Sequence, residues 1–391
     1  MKPDAGRSLL LALLPLAVLA ALLVWIVRSR PSETLRGDAP PVEVLQIQRV
    51  ELLPNELVVS VLNDGPDPST IAQVQVDDAY WAFTQDPAGE LGHLGRARLR
   101  IPYPWVHGET HVVRLVTATG ITFDHEVAVA LETPRPGLRT FGLFALIGLY
   151  VGIIPVALGL LWYPLAHRLS PRALDFLLAL TLGLLLFLLV DTLHEGLEAA
   201  GELPGSFQGV ALLVFGAAAA YLALEALGGW LSRRRKGLTE AGWVTALLLA
   251  IGIGLHNFGE GLAIGAALAL GEVALGTLLI LGFTLHNLTE GLAIVAPIAR
   301  LRVALGRLIL LGIIAGAPTI AGAWLGGFVY SPVLAVLFLA LGAGAIAQVV
   351  VQITRGVAGQ RPLAAYLSSA PVVAGLFAGF AVMYGTGMLV Q

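Results

Sequence analysis

From Phe141 to the C-terminus the sequence is a train of apolar runs separated by short loops, and this restricts the fold more than any other feature. Eight runs, at about 141–163, 173–196, 208–231, 243–269, 273–297, 303–328, 332–354 and 368–389, are each long enough to cross a bilayer as a helix. Inside hydrocarbon every backbone N–H and C=O must be satisfied within the protein, so such runs fold as helices packed into a bundle. Composition agrees: 57% of residues are hydrophobic and 13% charged, whereas a soluble domain carries about a quarter charged. The net charge of -3 gives no electrostatic footprint for nucleic acid. There is no Gly-Lys-Ser/Thr phosphate loop to suggest a nucleotide motor, and zero cysteines exclude disulfides and thiolate ligands. The expected fold class is an α-helical polytopic membrane protein with an eight-helix core.

Two further segments precede the core. Leu9–Val27 is apolar, is preceded by Lys2 and Arg7 and followed by Arg28 and Arg30, and lacks a small-x-small cleavage site. It reads as an uncleaved signal-anchor helix within residues 1–30. Residues 37–135 change character, with short β-like runs at Val42–Ile47, Leu57–Val61, Ile71–Val76, Ala97–Ile101, His111–Val116 and Val127–Ala130. Turn signals such as Asn63-Asp64-Gly65-Pro66 and Thr119-Gly120 separate them, which predicts a small all-β sandwich of immunoglobulin-like type. Thr133-Pro134-Arg135-Pro136-Gly137 then links it to the membrane domain, 141–391.

Short loops alternate in charge. Arg168 and Arg172, then Arg233 to Lys236, then Arg300, Arg302 and Arg307, then Arg355 and Arg361 fall on one side, while the intervening loops carry no Lys or Arg. The basic side is expected to be cytoplasmic. This predicts a multi-pass protein of the cell (inner) membrane, with the N-terminus inside and the sandwich and C-terminus outside.

The chemistry concentrates in one string that occurs twice, His256-Asn257-Phe258-Gly259-Glu260-Gly261 and His286-Asn287-Leu288-Thr289-Glu290-Gly291, each within an apolar run. Ionisable groups at membrane depth are costly and mark function by default. A spacing of four puts His and Glu on one helix face, with Asn close enough to join them. Imidazole with carboxylate suits zinc and its first-row neighbours, whereas magnesium or calcium would favour an all-oxygen cage. The candidate is a divalent metal site between two antiparallel helices near the bilayer midplane, where secondary transporters with inverted repeats bind substrate. Gly261, Gly265, Gly282 and Gly291 are expected to let these two helices approach closely. Interhelical glue would need only Ser, Thr, Asn or Gln, not two buried carboxylates.

The paired motifs, with their Glu-Gly-Leu-Ala-Ile continuation, resemble the fourth and fifth transmembrane helices of the ZIP (Zrt/Irt-like) divalent metal transporters. The resemblance extends to the span number, the basic loop between spans three and four and the outward C-terminus. It covers about 141–391 and leaves the anchor and the sandwich outside it. It implies a transport site made by His256, Glu260, His286 and Glu290, with Asn257 and Asn287 at an adjacent second metal position. The implied activity is uptake of a divalent transition metal by alternating access: zinc first, with iron, manganese, cobalt and cadmium as alternatives. The metal is then substrate, with no prosthetic group. A homodimer is compatible with this, and the sandwich's partner stays open.

The chain departs from the family pattern in three places. Gly259 and Thr289 replace the common Pro before Glu, the sixth span offers no carboxylate across Ile313–Thr319, and the polar residues of the seventh are Gln348 and Gln352. With neutral imidazoles the four ligands carry two negative charges, which one divalent cation cancels, so one metal at a time is expected. At the outer end of the second span, Asp191-Thr192-Leu193-His194-Glu195 is similar to the family's His-x-x-Pro-Glu stretch. Asp191, Glu195 and His194 are candidates for an entrance that concentrates cations.

Other polar residues are weaker candidates. Glu225 is expected to snorkel or to pair with a neighbouring helix, and His107 and His111, with His93 and His125, offer a second capture point on the sandwich. Pro155 and Pro318, the latter amid Gly312, Gly316, Gly322, Gly326 and Gly327, are candidate bends. Two other classes compete. An intramembrane metalloenzyme could use the same ligands, but His194-Glu195 begins a zinc-protease helix whose second His position holds Glu198. A metal-binding sensor or scaffold would work through the outer β-domain.

Overall fold

The computed structural model describes residues 5–29, 40–166, 168–234, 238–270, 273–329, 331–358 and 362–388. Lys2, Arg30, Arg235, Lys236 and Arg361, which the topology reading uses, lie outside them. Helix α1, Ala5–Ser29, contains the run Leu9–Val27 read as the anchor.

The β-domain has eight strands: β1 Leu45–Leu53, β2 Glu56–Asn63, β3 Ile71–Val76, β4 Ala79–Trp81, β5 Thr84–Asp86, β6 Arg96–Ile101, β7 His111–Thr117 and β8 Thr122–Val127. They form two antiparallel sheets, ordered β1-β2-β6-β5 and β4-β3-β7-β8. Strict alternation decides the packing. In β6, Ala97, Leu99 and Ile101 are buried while Arg96, Arg98 and Arg100 face outward. Val50, Leu57, Val59 and Val61 of one sheet meet Ile71, Val74, Val113 and Leu115 of the other in one core.

Two strands differ from the sequence reading. The chain before Leu45 leaves the ladder because Val42 N–H donates to Asp67 (2.7 Å), and the buried Glu43 carboxylate accepts from Ser69 (3.0 Å), Thr117 (2.6 Å) and Thr119. Val127–Ala130 is not a strand either. The strand runs Thr122–Val127, and Ala130 closes a turn through backbone bonds with Gly108 and Glu109.

Seven helices of the described residues are long and apolar enough to cross a membrane. They are α2 Leu138–Ala166, α3 Pro171–Gly201, α4 Gly209–Arg234, α5 Leu238–Ala269, α6 Val273–Val295, α7 Leu305–Val329 and α8 Pro332–Ala358. Helix α9, Ala370–Gly387, sits where the eighth span is expected. The helices pack in two groups: α3 with α8 and α9 and α8 with α4, then α2 with α6 and α5 with α7. Helix α5 also touches α6 and α8, so it joins the groups.

Of the glycines expected to bring α5 and α6 together, Gly261, Gly265 and Gly291 face other helices. A Cβ on Gly261 would stand 2.1 Å from the Thr319 carbonyl of α7, and one on Gly291 would stand 2.2 Å from the Val156 carbonyl of α2. The reason is helical pitch: Gly261 follows Glu260 by about 100° of rotation, so when Glu260 faces α6 its neighbour turns to α7.

Both helices that receive these glycines are interrupted at proline. A π-helical turn, Leu149–Ile153, precedes Pro155 in α2, and α7 breaks between Gly316 and Pro318. Pro155 has no N–H for the Val151 carbonyl four residues back.

The sandwich lies on the side of the α3–α4, α5–α6 and α7–α8 loops, which carry no Lys or Arg, although Arg135 and Arg139 flank the start of α2 there. Asp64 accepts from Gly205 N–H (2.9 Å) and Ser206 Oγ (2.7 Å), and Gln46 donates to the Glu202 carbonyl (2.7 Å). Leu270, after α5, Phe328 and Val329 at the end of α7, and Ser331 and Pro332 at the start of α8 line clefts against it.

Two outcomes check this account. Gly261→Ala should lower thermal stability by about 1–3 kcal/mol by overpacking the α5–α7 contact, while Gly259→Ala, whose Cβ would meet nothing within 4 Å, should be neutral or stabilising; equal melting shifts for the two would refute it. The second concerns acid. Burial raises the Glu43 pKa, but the Thr117, Thr119 and Ser69 hydroxyls outweigh it and hold the group below its ordinary value. Its contribution is therefore complete above the ordinary carboxylate range and lost as the pH falls through it and below, at about pH 4 and under. Tryptophan fluorescence of the sandwich should report this acid loss, and Glu43→Gln should flatten it.

Candidate metal site

Helices α5 and α6 cross so that the two copies of the motif meet. His286 Nε2 of one copy bonds Glu260 Oε1 of the other, and His256 Nε2 lies 3.2 Å from the same oxygen. One coordinating atom from each of His256, Glu260 and His286 falls within 4.8 Å of the other two, and no other such cluster occurs among the described residues. All three are buried. The second Glu260 oxygen accepts from Asn287 Nδ2 at 2.9 Å.

Glu290 does not join this trio. Its carboxylate is buried, and both oxygens lack a hydrogen bond. Asn257 lies beside it without hydrogen-bond geometry. A buried carboxylate without a hydrogen-bond donor is expensive until a proton or a cation neutralises it.

The asparagines are engaged from their nitrogen ends. Asn287 Nδ2 donates to Val151 O (3.1 Å), the carbonyl released by Pro155, and Asn257 Nδ2 donates to Ala315 O (3.2 Å) at the Pro318 break. Their Oδ1 atoms are buried and unpartnered, which leaves each free to face a metal. The amides therefore join the motif helices to the broken ones, a role the sequence reading did not assign them.

The remaining walls come from α3 and α8. A small cavity of about 20 Å³, room for about one water-sized particle, is lined by Asp191, Glu195, His256, Glu260 and His286, with Leu188, Phe283 and Phe338. Asp191 and Glu195, one helical turn apart, thus open onto the trio. His194 does not: it is exposed and pairs with Glu198 at 3.3 Å. The sequence reading missed Thr192, a buried hydroxyl 3.4 Å from His256 Nδ1. Only its place between two acids on one helix face could have marked it.

The other polar candidates have local partners. Glu225 pairs with Arg355 (2.5 Å) and accepts from Gln348 (3.3 Å), so it holds α4 to α8. On the sandwich, His111 is buried against Asp77 (Nδ1–Oδ2 2.7 Å), which also accepts from Tyr103 Oη (2.6 Å). His107 belongs to no metal-competent cluster.

The two imidazoles and one carboxylate that converge are donors compatible with a divalent transition metal, and the nearby Glu290 would bring the formal charge to that of one such ion. The sequence matches no family model and no curated protein.

Zinc titration of the purified chain should accordingly give one tight site. His256→Ala or Glu260→Ala should weaken it by at least ~100-fold, because a buried charge left unmatched costs about 3–5 kcal/mol. His111→Ala should destabilise the sandwich and leave the metal isotherm unchanged. Two tight ions in the wild type would defeat the charge-matching account.

Proposed function

We propose that the protein is a ZIP-like secondary transporter that carries a divalent transition metal, zinc first, across the cell membrane. The observation that carries the reading is the meeting of two antiparallel His-Asn-x-x-Glu copies at one buried point, with His286 of one bonded to Glu260 of the other. Helix α9 would complete an eight-helix core, and α1 would anchor the N-terminus.

In this reading Asp191 and Glu195 gather the cation at the outer end of α3. His256, Glu260 and His286 replace its water, and the unpartnered oxygens of Glu290, Asn257 and Asn287 offer further coordination in the same region. Alternating access requires one set of helices to move against another. The two packing groups supply the bodies, and the interruptions at Pro155 and Pro318 supply points of bending inside α2 and α7. A divalent ion entering a negative-inside cell gains about 4.6 kcal/mol per ~100 mV, enough to drive uptake without nucleotide hydrolysis. The sandwich shares a side with the loops lacking Lys and Arg, in keeping with an outer placement.

The enzyme class finds less support. A hydrolytic zinc site needs an open water position and a general base, and His194 is paired with Glu198 away from the trio. A sensor or scaffold working through the sandwich, with the buried metal site structural, requires metal binding without flux, which separates it from a transporter.

Proteoliposomes loaded with a zinc-sensitive dye provide the test. Wild type should show uptake, while Glu260→Ala and Glu290→Ala should abolish it at equal protein density. Flux through either variant at the wild-type rate would sink the site assignment, and a wild type that binds zinc without flux would favour the sensor class.

A further inference from the structure

The seam between sandwich and helices is hydrogen-bonded on one side and open on the other. Asp64 and Gln46 hold the α3–α4 loop. Across from them a cleft of about 580 Å³ lies between the outer face of the β1-β2-β6-β5 sheet and the end of α7 with the start of α8. Its charged lining is Arg49, Arg96, Arg98, Glu51 and Asp86, three cations against two acids.

Strand register puts the cations in order. Arg49 of β1 is opposite Ser60 of β2, and Ser60 is opposite Arg98 of β6, so two guanidinium groups flank a hydroxyl in one cross-strand row. Arg96 is one pleat away on the same face. Asp86 stands opposite Arg98 on the far strand. Arg49 leans to Glu51 at 3.4 Å, its Nε is buried without a hydrogen bond, and its side chain is only 12% exposed. Arg96 and Arg98 make no hydrogen bond or ion pair among the described residues, although Arg100, next on the strand, pairs with Glu56.

The helix side is complementary. Ser331 and Pro332 line the cleft, and α8 begins at Pro332, so the unpaired N–H groups and the positive dipole end of its first turn border the same space. Phe328 and Val329 form an apolar lip at the end of α7. An unpaired guanidinium fork, a hydroxyl and a helix N-terminus around one space select a tetrahedral oxyanion.

We propose that this cleft binds a phosphate group, and that it is a site for a phosphate ester at the level of the outer headgroups. The phosphate oxygens are held by Arg96, Arg98 and Ser60, with Arg49 behind them. The apolar lip and the position at the ends of two membrane helices suit the glycerol and first acyl carbons of a phospholipid, while a soluble phosphate would use the oxyanion contacts alone.

The full-length protein, purified in detergent and stripped of lipid, is titrated in two arms, with short-chain phosphatidylglycerol and with inorganic phosphate, and binding is read by native mass spectrometry and calorimetry. The expected result is saturable phosphatidylglycerol binding near one per chain. Arg96→Gln/Arg98→Gln should weaken it at least tenfold, Arg98→Lys by less, and Arg100→Gln within twofold. Binding of inorganic phosphate with the same arginine dependence, and none of the lipid, would uphold the oxyanion site and assign it a soluble ester. The proposal is overturned if neither ligand binds, or if the double variant, with zinc binding intact as proof of folding, binds like wild type.

Discussion

Glu260 has to be neutralised where it sits, and the arrangement of the membrane domain follows from that. A carboxylate in a low-dielectric interior is tolerated only when opposite charge or strong donors surround it. Its own helix supplies His256 at one turn's distance, which is not enough to satisfy two oxygens. The rest comes from α6, as His286 on one oxygen and Asn287 on the other. This cross-bonding fixes the depth and rotation at which α5 and α6 meet, and helical pitch then sends Gly261 toward α7 and Gly291 toward α2. The bonding at one carboxylate thus accounts for which helices, α7 and α2, pack behind the motif pair.

The broken helices complete that logic. A proline inside a membrane helix frees a carbonyl that no water can satisfy. Asn287 meets the one freed by Pro155, and Asn257 meets one at the Pro318 break. Each of these motif amides therefore holds, through its nitrogen, a helix whose regular bonding has failed, and Asn287 does so while also donating to Glu260, so the polar cluster and the helix interruption share a side chain.

Much of this was legible in the sequence because membrane burial writes strong signals. The long apolar runs marked the spanning helices, the His-to-Glu spacing marked a common face, and the alternation in Arg96–Ile101 marked a two-faced strand. What stayed hidden depends on partners far along the chain. Residue spacing cannot say that Gly261 packs on Thr319, that Glu290 stays outside the tight trio, or that His194 turns to Glu198. The sandwich strands slipped for a related reason: Val42–Ile47 looks like a strand, but Glu43 is held by three hydroxyls from distant segments.

The attachment of the sandwich carries a mechanical consequence. Its hydrogen bonds go to the loop between α3 and α4, which belong to one packing group, while its covalent connection, Thr133–Gly137, runs into α2 of the other. The domain is therefore strapped across a joint. Any travel of α2 relative to α3 and α4 must be taken up as slack in five residues, two of them proline, or be transmitted to the sandwich as a pull. The length and stiffness of that strap set an upper limit on any such travel.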